Sequence, residues 1–123
     1  MATIKSFTNI SQSKKLAEIL PHESADMCYI QDLLAGGKYG DYKPYIGDSI
    51  PAYGQGKIRC WSLSALLEVI RVECRMEKTP LDQSGEFTYS MVDDYNSIRT
   101  FEYDNPVDSC YETILKLHKQ KLL

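Results

Sequence analysis

The chain has 123 residues, 43% hydrophobic and 25% charged, and carries a net charge of −3. That length gives a single domain enough interior to fold without staples, and the composition is that of a folded protein, not a disordered one. The acidic balance disfavours nucleic acid and anionic membrane as general partners, because both reward a positive field.

No run of about 18 apolar residues occurs, so no spanning helix is expected. The opening stretch "MATIKSFTNISQSKK" turns polar at once and has no apolar signal core, which points to a cytosolic protein. In that reducing setting the four cysteines, Cys28, Cys60, Cys74 and Cys110, read as free thiols in or near a core.

The first helix is expected from Asn9 to Leu20. Asn9 caps it and Gln12, three residues on, completes a capping box; Leu16, Ala17 and Leu20 share a face, and Pro21 marks the stop. "HESAD" leads as a loop into "MCYIQDLL" at 27–34, whose Tyr, Ile and Leu content predicts a strand.

Residues 36–57 differ from the rest. They hold six of the seven glycines and four of the nine tyrosines, together with Pro44 and Pro51. That density excludes helix and predicts a long excursion with one short strand around Lys43–Gly47. Long loops in small domains carry function or move.

"RCWSLSALL" at 59–67 then starts the second helix. Ser62 is its cap, and Trp61 before it faces Leu66 at the fourth helical position, the arrangement of a hydrophobic staple. Leu63, Leu66, Leu67, Ile70 and Cys74 form one apolar stripe, so the helix is expected to reach about Val72, with Thr79-Pro80 as its outer limit. After "TPLDQSGE", the alternating segments "EFTYSMV" and "SIRTFEY" flank the turn residues Asp93–Asn96 and predict a β-hairpin.

The last helix has the fullest set of signals. Asn105 caps it, Pro106 takes the first position where its missing N–H costs nothing, and Asp108 meets exposed backbone N–H groups at the third. Val107, Cys110, Ile114 and Leu117 line one face, and Lys116, Lys119 and Lys121 gather at the negative end. The architecture expected is α+β: three helices packed on a small, mainly antiparallel sheet, as one domain.

Several chemistries are weighed on these residues. Zinc sites use close cysteine pairs; here the spacings are 32, 14 and 36 and the two histidines, His22 and His118, lie far apart, so no metal and no cofactor is expected. Cys60 beside Arg59 and a helix start has part of the setting of a reactive thiol but no base near it in sequence. The paired carboxylates Asp93-Asp94 sit in a turn, and Asp104 and Asp108 flank a helix start, so neither pair fits general acid–base work. "GQGKIR" lacks the spacing of a phosphate loop. No catalytic residue is assigned.

What remains is recognition. Tyrosine gives rigid contact area with a polar tip, so Tyr39, Tyr42, Tyr45 and Tyr53, with Arg59, are the candidate binding residues. Trp61, Ser62, Asn105, Pro106 and Asp108 are assigned structural roles. A protein partner is expected and self-association is compatible with the pattern. Two alternatives stand beside this reading: a ligand pocket or enzyme site near Cys60 and Arg59, and nucleic-acid binding by Lys57, Arg59, Arg71 and Arg75, which Glu68, Glu73 and Glu77 would offset.

Three segments, "ESADMCY" at 23–29, "RCWSLSALLEVI" at 59–70 and "DNPVDSCYETILKLHKQKLL" at 104–123, resemble a group of small uncharacterised proteins of gut Bacteroidales bacteria and of the phages and mobile elements found there. The resemblance runs in order over most of the chain. It implies a bacterial or phage setting, a cytosolic domain and an accessory role, and brings no catalytic residues.

Overall fold

The structure, a computed structural model, describes residues 5–47 and 54–123. The fold is α+β. Its elements run α1 (Ile10–Ala17), a 3-10 turn (His22–Ser24), β1 (Met27–Leu33), β2 (Tyr39–Ile46), β3 (Gly54–Cys60), α2 (Leu63–Val69), β4 (Arg75–Pro80), β5 (Phe87–Asp93), β6 (Ile98–Arg99) and α3 (Pro106–Lys119). The described strands form two separate antiparallel sheets, ordered β2-β1-β3 and β4-β5-β6, where the sequence led to one. The chain divides into two compact units. One is Phe7–Ala65; the other takes in Leu66–Leu123 with Lys5 and Ser6.

In the first unit the sequence signals at α1 are realised in detail. Asn9 accepts from the Gln12 N–H at 2.8 Å, and the Gln12 side chain accepts from the Asn9 N–H at 3.1 Å. The regular helix ends at Ala17, three residues before the expected Leu20. The last turn tightens, with Ile19 and Leu20 both donating to the Leu16 carbonyl. Leu16 and Leu20 are buried, and α1 packs against β3.

The described residues of the expected excursion at 36–57 are largely sheet, and residues 48–53 lie outside those described. β1 and β2 form a hairpin closed by Leu34 N–H to Lys38 O at 2.6 Å, with Gly36 and Gly37 in the left-handed region (φ 86° and 77°) that only glycine enters freely. β3 pairs with the other side of β1. Near the far end of β1 both partners slip register by one residue, β2 opposite Gln31–Leu33 and β3 opposite Tyr29–Gln31. Such extra residues bend and twist a ladder, which is how a glycine-rich stretch pairs without lying flat. Glycine and proline argue against long strands; among the described residues the glycines and Pro44 occupy the turns, the slips and an outer edge instead. Gly47 N–H donates to the Asp26 carbonyl, so counting back by twos turns the Tyr45 and Lys43 amides toward β1 and leaves Pro44 facing outward. There a residue without an N–H costs no ladder bond and blocks further strand pairing.

In the second unit α2 ends at Val69, short of the expected Val72, with Ile70 N–H to Leu66 O as a last helical bond. Val69, Ile70 and Val72 are β-branched and favour extended backbone, and the chain leaves the helix among them. The "RMEKTP" run, whose Thr79-Pro80 is the expected outer limit of that helix, is the strand β4. It pairs with β5 in unbroken register from Arg75↔Val92 to Pro80↔Phe87.

The expected hairpin forms between β5 and β6, but β6 has only two residues. Beyond it the pairing continues irregularly. Thr100 N–H donates to the Met91 carbonyl at 3.1 Å, and Thr100 Oγ1 accepts the Met91 N–H at 2.9 Å. Tyr89 and Tyr103 then exchange both backbone bonds, at 2.6 and 2.8 Å.

α3 packs on β5 and β6. Asn105 accepts the Asp108 N–H at 2.9 Å with Pro106 at the first helical position. Val107, Cys110, Ile114 and Leu117 are each fully buried. A fully buried aliphatic side chain contributes about 1.5–3 kcal/mol and a cap about 1 kcal/mol. Packing therefore holds α3 in place, and the cap decides where it starts.

Candidate functional site

Three of the four candidate tyrosines lie on β2, an edge strand of its sheet; Tyr53 lies outside the described residues. Tyr39 is 42% exposed, whereas Tyr42 and Tyr45 are half-buried; the register slip leaves Tyr39 and Tyr42, opposite Leu33 and Gln31, on one face and Tyr45, opposite Cys28, on the other. The Tyr45 hydroxyl donates to Asp32 Oδ1 at 2.6 Å, and Lys43 Nζ lies 3.4 Å from Asp32 Oδ2. The bond to Asp32, then burial and the carboxylate's charge, raise the Tyr45 phenol above its ordinary value. Tyr45 is thus anchored by its polar tip, while Tyr39 presents its ring. At the hairpin Leu34, half exposed, lies 3.3 Å from where a Cβ on Gly40 would sit, and at the other end of β2 Ile46 is 88% exposed. The strand shows apolar groups at both ends, with Asp41, Lys43 and Pro44 between them.

Arg59 binds the turn before β1. Its Nε donates to His22 Nδ1 at 2.8 Å and its Nη1 to the His22 carbonyl at 3.4 Å. Two residues on, the Trp61 indole N–H donates to Ser24 Oγ at 2.9 Å, and Ser62 donates its N–H and hydroxyl to Asp26. Arg59, Trp61 and Ser62 therefore seize His22, Ser24 and Asp26 in order, lacing the turn before β1 to the end of β3. Ser62 also accepts the Ala65 N–H at 3.2 Å, which caps α2.

Cys60 sits between these residues but on the other face of β3. Register pairs it with Met27 and pairs Arg59 with Cys28, so consecutive residues point to opposite sides of the sheet and cannot line one pocket. Cys60 is fully buried, and its thiol donates to the Thr8 carbonyl at 3.4 Å and accepts from Thr8 Oγ1 at 3.6 Å. The same Thr8 oxygen exchanges a hydrogen bond with Ser13 at 2.8 Å and takes the Trp61 N–H at 3.2 Å, while the Tyr29 hydroxyl donates to the Thr8 carbonyl at 2.7 Å. Burial pushes the Cys60 thiol up, against hydrogen bonds from Thr8, Ser13 and Tyr29 that pull it down. A buried thiol that keeps its proton, inside a satisfied polar network, is built for packing and not for attack.

The sequence reading missed the partners: His22, Ser24, Asp26 and Asp32. Short polar residues before a strand, or one acid within it, carry no local signal of what they will meet. Only the pairing register reveals it.

In the second unit a cavity of about 400 Å³ is lined by Glu73, Cys74, Arg75, Val92, Asp93, Asp94 and Tyr95. Arg75 pairs with Asp94, and Asp93 accepts from the Asn96 N–H at 3.1 Å and its Nδ2 at 2.6 Å. These bonds, led by the side-chain one, hold the Asp93 carboxyl below the usual range. Of the arginines weighed for nucleic acid, Arg75 is thus already paired with a carboxylate; Arg99, on β6 and not one of that set, pairs with Glu77 at 2.9 Å. At the start of α3 Asp108 also takes Lys5 Nζ at 2.7 Å and Asn105 Nδ2 at 2.9 Å.

No family model, curated protein or solved structure matches the chain. Among the described residues, no helix is long and apolar enough to cross a membrane, and no three His, Cys, Asp or Glu side chains gather where they could hold a metal ion.

Proposed function

We propose that the chain is a non-enzymatic accessory protein that binds another protein through β2 and its hairpin, in the cytosol of a bacterium or of a phage-infected cell. The observation that carries this is the display on β2. Ile46 at 88% exposure and Tyr39 at 42%, with Leu34 at 50%, are apolar groups held on ordered strand and hairpin backbone. A rigid aromatic and a bare aliphatic lose little entropy on contact and supply the anchors that interfaces use. Pro44 and Lys43 between them guard the outer edge against indiscriminate strand pairing, which favours side-chain recognition. The buried, protonated Cys60 supports the same reading against thiol catalysis. The resemblance of three segments to small proteins of gut Bacteroidales and their phages supports the setting and the accessory role.

The test is affinity purification from the native host with the wild type and an Ile46→Asp, Tyr39→Ser double variant, followed by mass spectrometry. Both positions are exposed, so the variant is expected to keep its thermal midpoint and to lose the recovered protein. Recovery of no protein across several growth conditions, or equal recovery with the variant, overturns the proposal.

A further inference from the structure

We draw no further inference here: the strongest candidate, the cavity between the residues before β4 and the β5–β6 turn, lined by Glu73, Cys74, Arg75, Asp93, Asp94 and Tyr95, is an acidic cluster whose aspartates are already satisfied by Asn96 and Arg75, and nothing else in the structure points to a ligand there.

Discussion

Ser62 holds Asp26 with both of its polar groups: its backbone N–H donates to Oδ1 at 2.9 Å and its hydroxyl donates to Oδ2. The same hydroxyl accepts the Ala65 N–H, so one oxygen caps α2 and ties it to the segment before β1. Ser62→Ala removes both jobs. A lost cap costs about 0.5–2 kcal/mol, and the exposure of the pair keeps the carboxylate's share small. A loss of about 1–2 kcal/mol in urea unfolding is expected. Asp26→Ala should cost less, and the double variant should lose less than the sum, since residues sharing a hydrogen bond couple by about 0.5 kcal/mol or more. Strict additivity would show that the two residues do not act together.

Trp61 is fully buried with its indole N–H committed to Ser24. Ser24→Ala leaves that donor unmet and should cost about 1–3 kcal/mol, whereas Trp61→Ala should cost about 3–5 kcal/mol through the cavity it opens. Because Trp61 is the only tryptophan, its fluorescence reports the site directly. Wild-type emission is expected to be blue-shifted and protected from iodide. Red-shifted, readily quenched emission would place the ring in water and remove the basis for both stability figures.

Much of this was legible in the sequence because it is local. The Asn9–Gln12 box and the Asn105-Pro106 start concern groups within three residues of each other, and the apolar stripe of α3 is a matter of spacing alone. The glycine- and proline-rich stretch was harder, since composition argued against strands that long-range pairing with β1 nevertheless forms. Local propensity is a weak prior where a neighbouring strand supplies the hydrogen bonds. β4 was hidden for the same reason: "RMEKTP" has no alternating apolar pattern, and its partner β5 supplies what the sequence does not show. At the candidate surface the tyrosines were visible as a composition, but which of them is tethered depends on Asp32, thirteen residues from Tyr45 and brought near only by the hairpin.

Thiol accessibility separates the cysteines. Cys28, Cys60 and Cys110 are fully buried, and Cys74 alone is partly exposed. Burial, helped by the charge of Asp93, still pushes the Cys74 thiol up, so it should react more slowly than a free cysteine. Titration with a chromogenic disulfide at pH 8 is expected to show one thiol reacting in the folded protein and four in denaturant. Cys74→Ser should abolish the native phase. A native phase that survives in this variant, or that disappears in Cys60→Ser, would return Cys60 to the list of reactive groups.

On the acid side the informative group is Asp93. Its carboxyl is held below its ordinary value, chiefly by the Asn96 side chain. A lowered folded value means that the bonds stabilise the fold above the unfolded carboxylate pKa of about 3.9 and that this stabilisation is lost as pH falls through the lowered value. Asn96→Ala removes the largest cause. Its stability relative to wild type should be poorest near neutrality, with the difference shrinking below pH 4. A difference independent of pH would mean that Asn96 acts only as a turn residue.

The alkaline limit is set by groups that hold protons too tightly. Burial, then the charge and hydrogen bond of Cys60, raise the Tyr29 phenol to about 12; burial, with the charge of Cys74, raises the Cys110 thiol to about 12 as well. Unfolded, a tyrosine titrates near 10 and a cysteine near 8.5. The folded state therefore keeps protons that the unfolded chain gives up. These contributions are complete below about pH 8.5 for Cys110 and about pH 10 for Tyr29, and both drain away as pH rises toward 12. Urea midpoints should hold level from pH 7 to 8 and then decline, with the steepest fall above pH 10. Cys110→Ala should weaken the fold at neutral pH through the lost packing yet flatten the decline that begins near pH 8.5. Tyr29→Phe should lose the bond to the Thr8 carbonyl and flatten the segment above pH 10. A wild-type midpoint that stays constant to pH 11 would show that neither group is held protonated by the fold.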